Sequence, residues 1–232
     1  MATNQAVLEF SGARPTWTPG ELPSVKIDFR LLPGEFALVE ARDRHQAAWL
    51  ADLCCGLVSL TEGRIQFLGR EWSKLPDYYA AALRGHIGRV FALGGWIGSL
   101  DIATNILLPQ LHHSRAELEQ LREEAMELAH AFGLPGLPLG HIDDISPFDL
   151  ARSAYVRAFL GNPALLVLES PAPGQFAELR TPLLSAIAAA QSRGCVIIWL
   201  SQDAQIWGDR SFPATQRLHL RRRGLWPAGR PT

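Results

Sequence analysis

Gly34-Glu35-Phe36-Ala37-Leu38-Val39-Glu40-Ala41-Arg42-Asp43-Arg44-His45-Gln46-Ala47-Ala48-Trp49-Leu50, continuing to Leu57, changes its hydrophobic period part-way along. Phe36 to Glu40 is a short apolar run behind a Pro33-Gly34 turn and reads as a buried strand. From about His45, Trp49, Leu50, Leu53 and Leu57 recur at three and four residues, the spacing of one helix face. Ala41 to Arg44 turns strand into helix, the place where a glycine-rich loop wraps phosphates in many nucleotide-binding proteins. Such a loop needs glycines so that backbone N–H groups can crowd an anion, a lysine for the terminal phosphates and a hydroxyl for magnesium. In the GxxxxGK[ST] frame this chain offers Ala41, Gln46, Ala47 and Ala48, and all four requirements fail together. Glu40 and Asp43 add negative charge there, partly offset by Arg42, Arg44 and His45. The plain expectation is an ordinary strand–turn–helix without a working phosphate site.

Working outward, Ala6–Phe10 and Val25–Leu31 read as strands around a Pro/Gly-rich loop at 12–23. Thr61–Gly63 reads as a turn before an alternating strand, 64–68. A further strand lies within 86–92, and 104–111 reads as a short apolar helix or turn stopped near Pro109. Ser114 to Phe132 is the clearest helix, with Ser114 and Glu117 spaced as a capping box. Ser146 caps a second helix, to about Leu160, with Pro147 in its first position. Strands at 164–168 and 195–200 are apolar throughout, with a helix (175–193) between them, and 217–221 suits a last strand before a polar tail. Apolar strands alternating with helices predict an α/β fold, a mainly parallel sheet covered on both faces. Two consecutive helices interrupt that alternation and suggest a helical subdomain at about 99–161, inserted into a core of about 1–98 and 162–232.

The 232 residues suit one α/β domain, and a net charge of −1 gives no electrostatic case for nucleic acid. Charged residues at 19% against 47% hydrophobic are lean in charge, which hints at surface covered by partners. No apolar run is long enough to span a bilayer, and the N-terminus does not read as a signal peptide. Cys54, Cys55 and Cys195 fit neither a disulfide framework nor a metal spacing, which suits buried thiols in a reducing cytoplasm. His112-His113 implies no metal site. The basic-aromatic run Arg221 to Trp226 reads as a solvated tail, with a membrane-surface contact as its sharper alternative.

Val90-Phe91-Ala92 through Asp101 to Pro109, Ile145-Ser146-Pro147-Phe148-Asp149 with Arg157-Ala158-Phe159, Leu165 to Pro171, and Leu200 to Asp203 follow one another in a telling order. From Val25 to Asp203 the chain resembles the nucleotide-binding subunit of an ABC transporter, a P-loop NTPase-like fold with a helical subdomain. Gly94-Gly95-Trp96-Ile97, Pro109 after Asn105, and Pro171 to Gln175 look like the Mla-type lipid-transport ATPases. The resemblance puts Ala92 at the Q-loop glutamine, Glu169 at the Walker B aspartate and Ser170 at the general base. It puts Gln202 at the switch histidine, and Ser146 at the signature serine, followed by Pro147 and Phe148 where glycines belong. Phosphoryl transfer is almost wholly positioning and charge neutralisation, so losing every such group together implies a pseudo-ATPase with no catalytic residue, no metal and no cofactor. ATP and magnesium enter only if a partner subunit supplies what is missing; a freestanding interaction module is the remaining alternative. The resemblance further implies a cytoplasmic subunit on the inner face of the cell membrane. Its partners would be a permease and a second nucleotide-binding subunit, as homodimer or heterodimer. Permease docking falls to Leu93, Trp96, Ile97 and Ile102.

Overall fold

The computed structural model describes residues 5–16, 25–113, 116–169, 176–210, 212–221 and 223–227. The decisive stretch folds as read: strand β3 is Phe36–Glu40 and helix α1 is Arg44–Cys54. Three other strands flank β3 in parallel or lie beyond it: β6 (Ile87–Val90), β7 (Leu165–Glu169) and β8 (Val196–Ser201). With β9 (Gln216–Arg221) and β10 (Gly224–Pro227) they form a six-stranded sheet in the order β10-β9-β3-β8-β7-β6, parallel except at β10.

The strands are apolar on both sides because both sides are covered. Phe36, Leu38, Leu166, Leu168, Ile197 and Trp199 face one core, built with α3 (Ile102–His113), α4 (Leu118–Ala131), α5 (Pro147–Phe159) and α6 (Phe176–Ser192). Ala37, Val39, Leu165, Val167, Ile198 and Leu200 face the other, closed by α1 and a second sheet. That sheet is antiparallel, in the order β2-β1-β4-β5, from β1 (Leu8–Pro15), β2 (Ile27–Leu31), β4 (Leu60–Phe67) and β5 (Arg70–Glu71). Cys195 lies in the first core and Cys54 in the second, with Cys55 buried beside it.

Several expectations are corrected. β1 runs on to Pro15 where a loop was expected from Gly12, and Thr61–Gly63 belongs to β4 instead of a turn. The two strands change register there, and Gly63 at φ +74° lets the Gly12 carbonyl pass where a Cβ would lie 2.2 Å from its oxygen. Pro109 sits inside α3, which continues to His113. Proline removes only one helical N–H, and buried Ile106 and Leu107 hold the segment against the core. α4 begins at Leu118 with Glu117 as its cap residue, making no side-chain cap bond; Ser114 lies outside the described residues. The basic-aromatic run is no solvated tail, since Leu225 and Trp226 pair with Leu220 and His219 in a hairpin. The polar helix α2 (Asp77–Arg84) and a short α7 (Ala204–Gly208) went unread.

Candidate functional site

β3 ends at the carboxyl edge of the parallel sheet, where open α/β folds place their ligands. Ala41 is buried and donates its N–H to the Ser201 carbonyl, 3.0 Å away. Asp43 caps α1, its Oδ1 accepting from the Gln46 N–H at 2.9 Å. Gln46 is buried too, and its Oε1 accepts from the Arg42 N–H at 2.6 Å. The two side chains form a reciprocal cap of the D-x-x-Q kind, which occupies backbone donors that face a phosphate in a glycine-rich loop. The Gln46 N–H, and after it the Arg42 guanidinium, hold the Asp43 carboxyl below the usual carboxylate range. Because the cap starts α1 at Arg44, residues 44–48 are already helical; Ala47 is fully buried and Ala48 half-buried.

Glu40 does not add charge to this turn. Its Oε2 meets His219 Nδ1 and Arg221 Nη2, both at 2.6 Å, and the Trp207 ring lies against His219. Burial works against the Glu40 charge, but Arg221 and then His219 outweigh it and lower the carboxyl's pKa.

Glu169, at the end of β7, is 2% exposed, and its Oε1 accepts from Arg89 Nε at 2.6 Å. The same guanidinium reaches Asp52 on α1, again at 2.6 Å, and lies over the Phe91 ring. Desolvation opposes the charge of Arg89, yet Cys55, Glu169 and Asp52 around it raise its pKa. Sequence reasoning missed Arg89, although one cation in a short parallel strand is a signal that a buried counter-ion is near.

Register aligns Glu40 with Ser201 and Glu169 with Leu200, so positions 41, 169 and 202 share one edge of the sheet. Gln202 is exposed there, and Ala92 is half-buried two residues beyond β6. Ser170 and the 171–175 segment lie outside the described residues. Ser146 is the cap of α5: its Oγ accepts from the Asp149 N–H at 3.1 Å and donates to the Asp149 carboxylate. Pro147 takes the first helical position, and Phe148 stacks under the Arg152 guanidinium at 3.9 Å.

The segment after β6 projects Leu93, 81% exposed, and Ile97, 45% exposed. From below, Asn105 Oδ1 accepts from the Ile97 N–H and its Nδ2 donates to the Ile97 carbonyl. Arg157 on α5 donates to the carbonyls of Gly94 and Gly95, and its guanidinium lies 4.2 Å from the half-buried Trp96 ring. Burial pushes the Arg157 pKa down to about 10. Ile102 departs from the docking set: it is wholly buried in the first core and presents nothing to a partner. Next to this segment a groove of about 850 Å3 opens between α3 and α4, bounded by Leu137 and Leu139.

No family model matches the sequence. The macrolide export ATP-binding/permease protein MacB of Chlorobium luteolum is 25% identical over 217 residues, covering 89% of this chain and 31% of that protein. The lipoprotein-releasing system ATP-binding protein LolD of Granulibacter bethesdensis is 27% identical over 164 residues, 70% of this chain and 71% of that one. The chain thus spans about a third of the MacB relative's length. The dimeric structure of the ABC transporter cassette MJ0796 superposes with a TM-score of 0.81, at 17% identity, over 94% of this chain and 96% of that one. The chain is an ATP-binding-cassette domain. Within the cassette frame, the Asp43–Gln46 cap stands at the phosphate loop and the Arg89–Glu169 pair at the metal-binding acid. Among the described residues of this cassette, no helix is long and apolar enough to cross a membrane.

Proposed function

We propose that this cassette no longer uses ATP and serves as a structural or regulatory partner of a membrane permease. It would lie on the inner face of the cell membrane, paired with a second cassette, a copy of itself or a different chain. The observation that carries this is the reciprocal cap: the Arg42 and Gln46 amides are bonded to side chains of the same turn. A magnesium-bound triphosphate needs free amides, a cation for its terminal oxygens and an acid for the metal. Ala47 and Ala48 offer only methyl groups, and Glu169 already has Arg89 as its counter-ion. The residues present do not fit that ligand. The permease partner is supported by relatives named for ATP-binding and permease functions, and the pairing by the dimeric MJ0796 cassette. For the transported cargo we favour phospholipid, on the likeness of Gly94 to Ile97 and Pro109 to the Mla-type ATPases.

Calorimetric titration of the full chain with Mg-ATP tests the reading. No saturable binding is expected up to millimolar nucleotide; a micromolar affinity overturns it. Co-purification with a membrane subunit supports the docking role, and lipid analysis of that complex decides the cargo.

A further inference from the structure

The groove between α3 and α4 says more about the partner, and this inference rests on the docking role proposed above. Its apolar wall holds Leu107, Met126, Leu137 and Leu139, the last 82% exposed. Four carboxylates stand on its rim, Asp101, Glu119, Glu123 and Glu127, against one guanidinium, Arg122, and the His130 imidazole. Asp101 is engaged at the start of α3, accepting from the Thr104 N–H and hydroxyl. Glu119 stands 4.0 Å from Arg122, both of them exposed. Glu123 and Glu127 are exposed and make no ion pair among the described residues.

Residues 119, 123 and 127 are four apart, so their carboxylates line one face of α4 over about 12 Å. Like charges at that spacing repel one another, and neighbouring cations relieve the repulsion. We propose that the groove receives a short amphipathic helix of the permease, with an apolar face of leucine-like side chains and Lys or Arg at four-residue spacing along its flank. The apolar wall supplies affinity, while the acidic row sets orientation and rejects acidic segments. A cavity of this size suits a few large side chains seated together.

The test uses the intact chain and two labelled, stapled helical peptides of about three turns, identical in their leucine face and differing in Lys or Glu flanks. The Lys peptide is expected to bind with a Kd on the order of tens of micromolar, and the Glu peptide roughly tenfold more weakly. Raising salt should weaken the Lys peptide several-fold. The double variant Glu123→Gln/Glu127→Gln changes only exposed side chains and should weaken the Lys peptide by roughly threefold or more. Met126→Lys, on the apolar wall, should weaken both peptides. Equal binding of the two peptides overturns the charge rule and leaves the groove as a docking seat. Failure of both peptides overturns the seat as well. Lys-peptide binding indifferent to the double variant places the attraction elsewhere and also overturns the proposal. No nucleotide is present, so these outcomes are independent of whether the chain binds ATP.

Discussion

Arg89 lies between Asp52 and Glu169 with only 11% of its side chain exposed, so it joins α1, β6 and β7 by charge. Removing one partner of a buried pair leaves the other charge uncompensated, whereas replacing both with apolar groups is often neutral. Arg89→Met is therefore expected to cost about 3 kcal/mol in urea unfolding, with much of it recovered in Arg89→Met/Glu169→Leu. A single variant as stable as the parent would show the pair to be idle. Glu40 offers a pH test. Its pKa is lowered in the folded chain by Arg221 and His219, so its contribution is present above the ordinary value of 4.5 and is lost as pH falls through the folded value. Acid unfolding followed by circular dichroism should show a shallower loss of stability below pH 4.5 in Glu40→Gln than in the parent. Neither pairing was legible in the sequence. Glu169 and Arg89 are 80 residues apart, and Glu40 and His219 are 179 apart. Nothing local in composition marks such partners; only the sheet order brings them together.

At the scale of elements, the apolar strands and amphipathic helices were legible because their periods are local properties of the chain. β3, β7, β8 and α5 fall within one or two residues of their expected limits. α2 was not, since seven of its eight residues are outside the core and its apolar signal is weak. The Ser146 cap was legible, and it carries a prediction: Ser146→Ala should destabilise α5 by about 1 kcal/mol in thermal unfolding, with or without nucleotide. A loss seen only with nucleotide would return Ser146 to a ligand contact. Gly88 shows what sequence alone hid. It lies in β6 directly under α5, where a Cβ would stand 1.8 Å from the Ala158 carbonyl oxygen. Gly88→Ala has to push helix and strand apart, and a cost of about 2 kcal/mol or more is expected in chemical denaturation.

For the whole molecule, the cassette frame was legible from segment order, while the state of its nucleotide edge needed coordinates. Sequence reports that Gln46 is not glycine; only the fold shows its carboxamide bonded back to Arg42. The changes are spread over α1, β6 and β7, which shapes a further expectation. Restoring the loop alone, by Ala41→Gly, Gln46→Gly, Ala47→Lys and Ala48→Ser, should not bring ATP hydrolysis, because Arg89 still neutralises Glu169 and Gln202 remains at the switch position. Turnover in a phosphate-release assay of that quadruple variant would show the defect to be confined to one turn.

The two cores on opposite faces of the central sheet each enclose their own thiol, Cys195 in one and Cys54 in the other. Burial pushes the Cys195 pKa up to about 12 and raises that of Cys54 well above its ordinary value, so neither reacts while its layer stays closed. Alkylation with a maleimide, read cysteine by cysteine in a mass spectrometer, would therefore time the opening of each layer separately. A partner clamped over α3 and α4 should slow the Cys195 clock and leave the Cys54 clock running at its own rate.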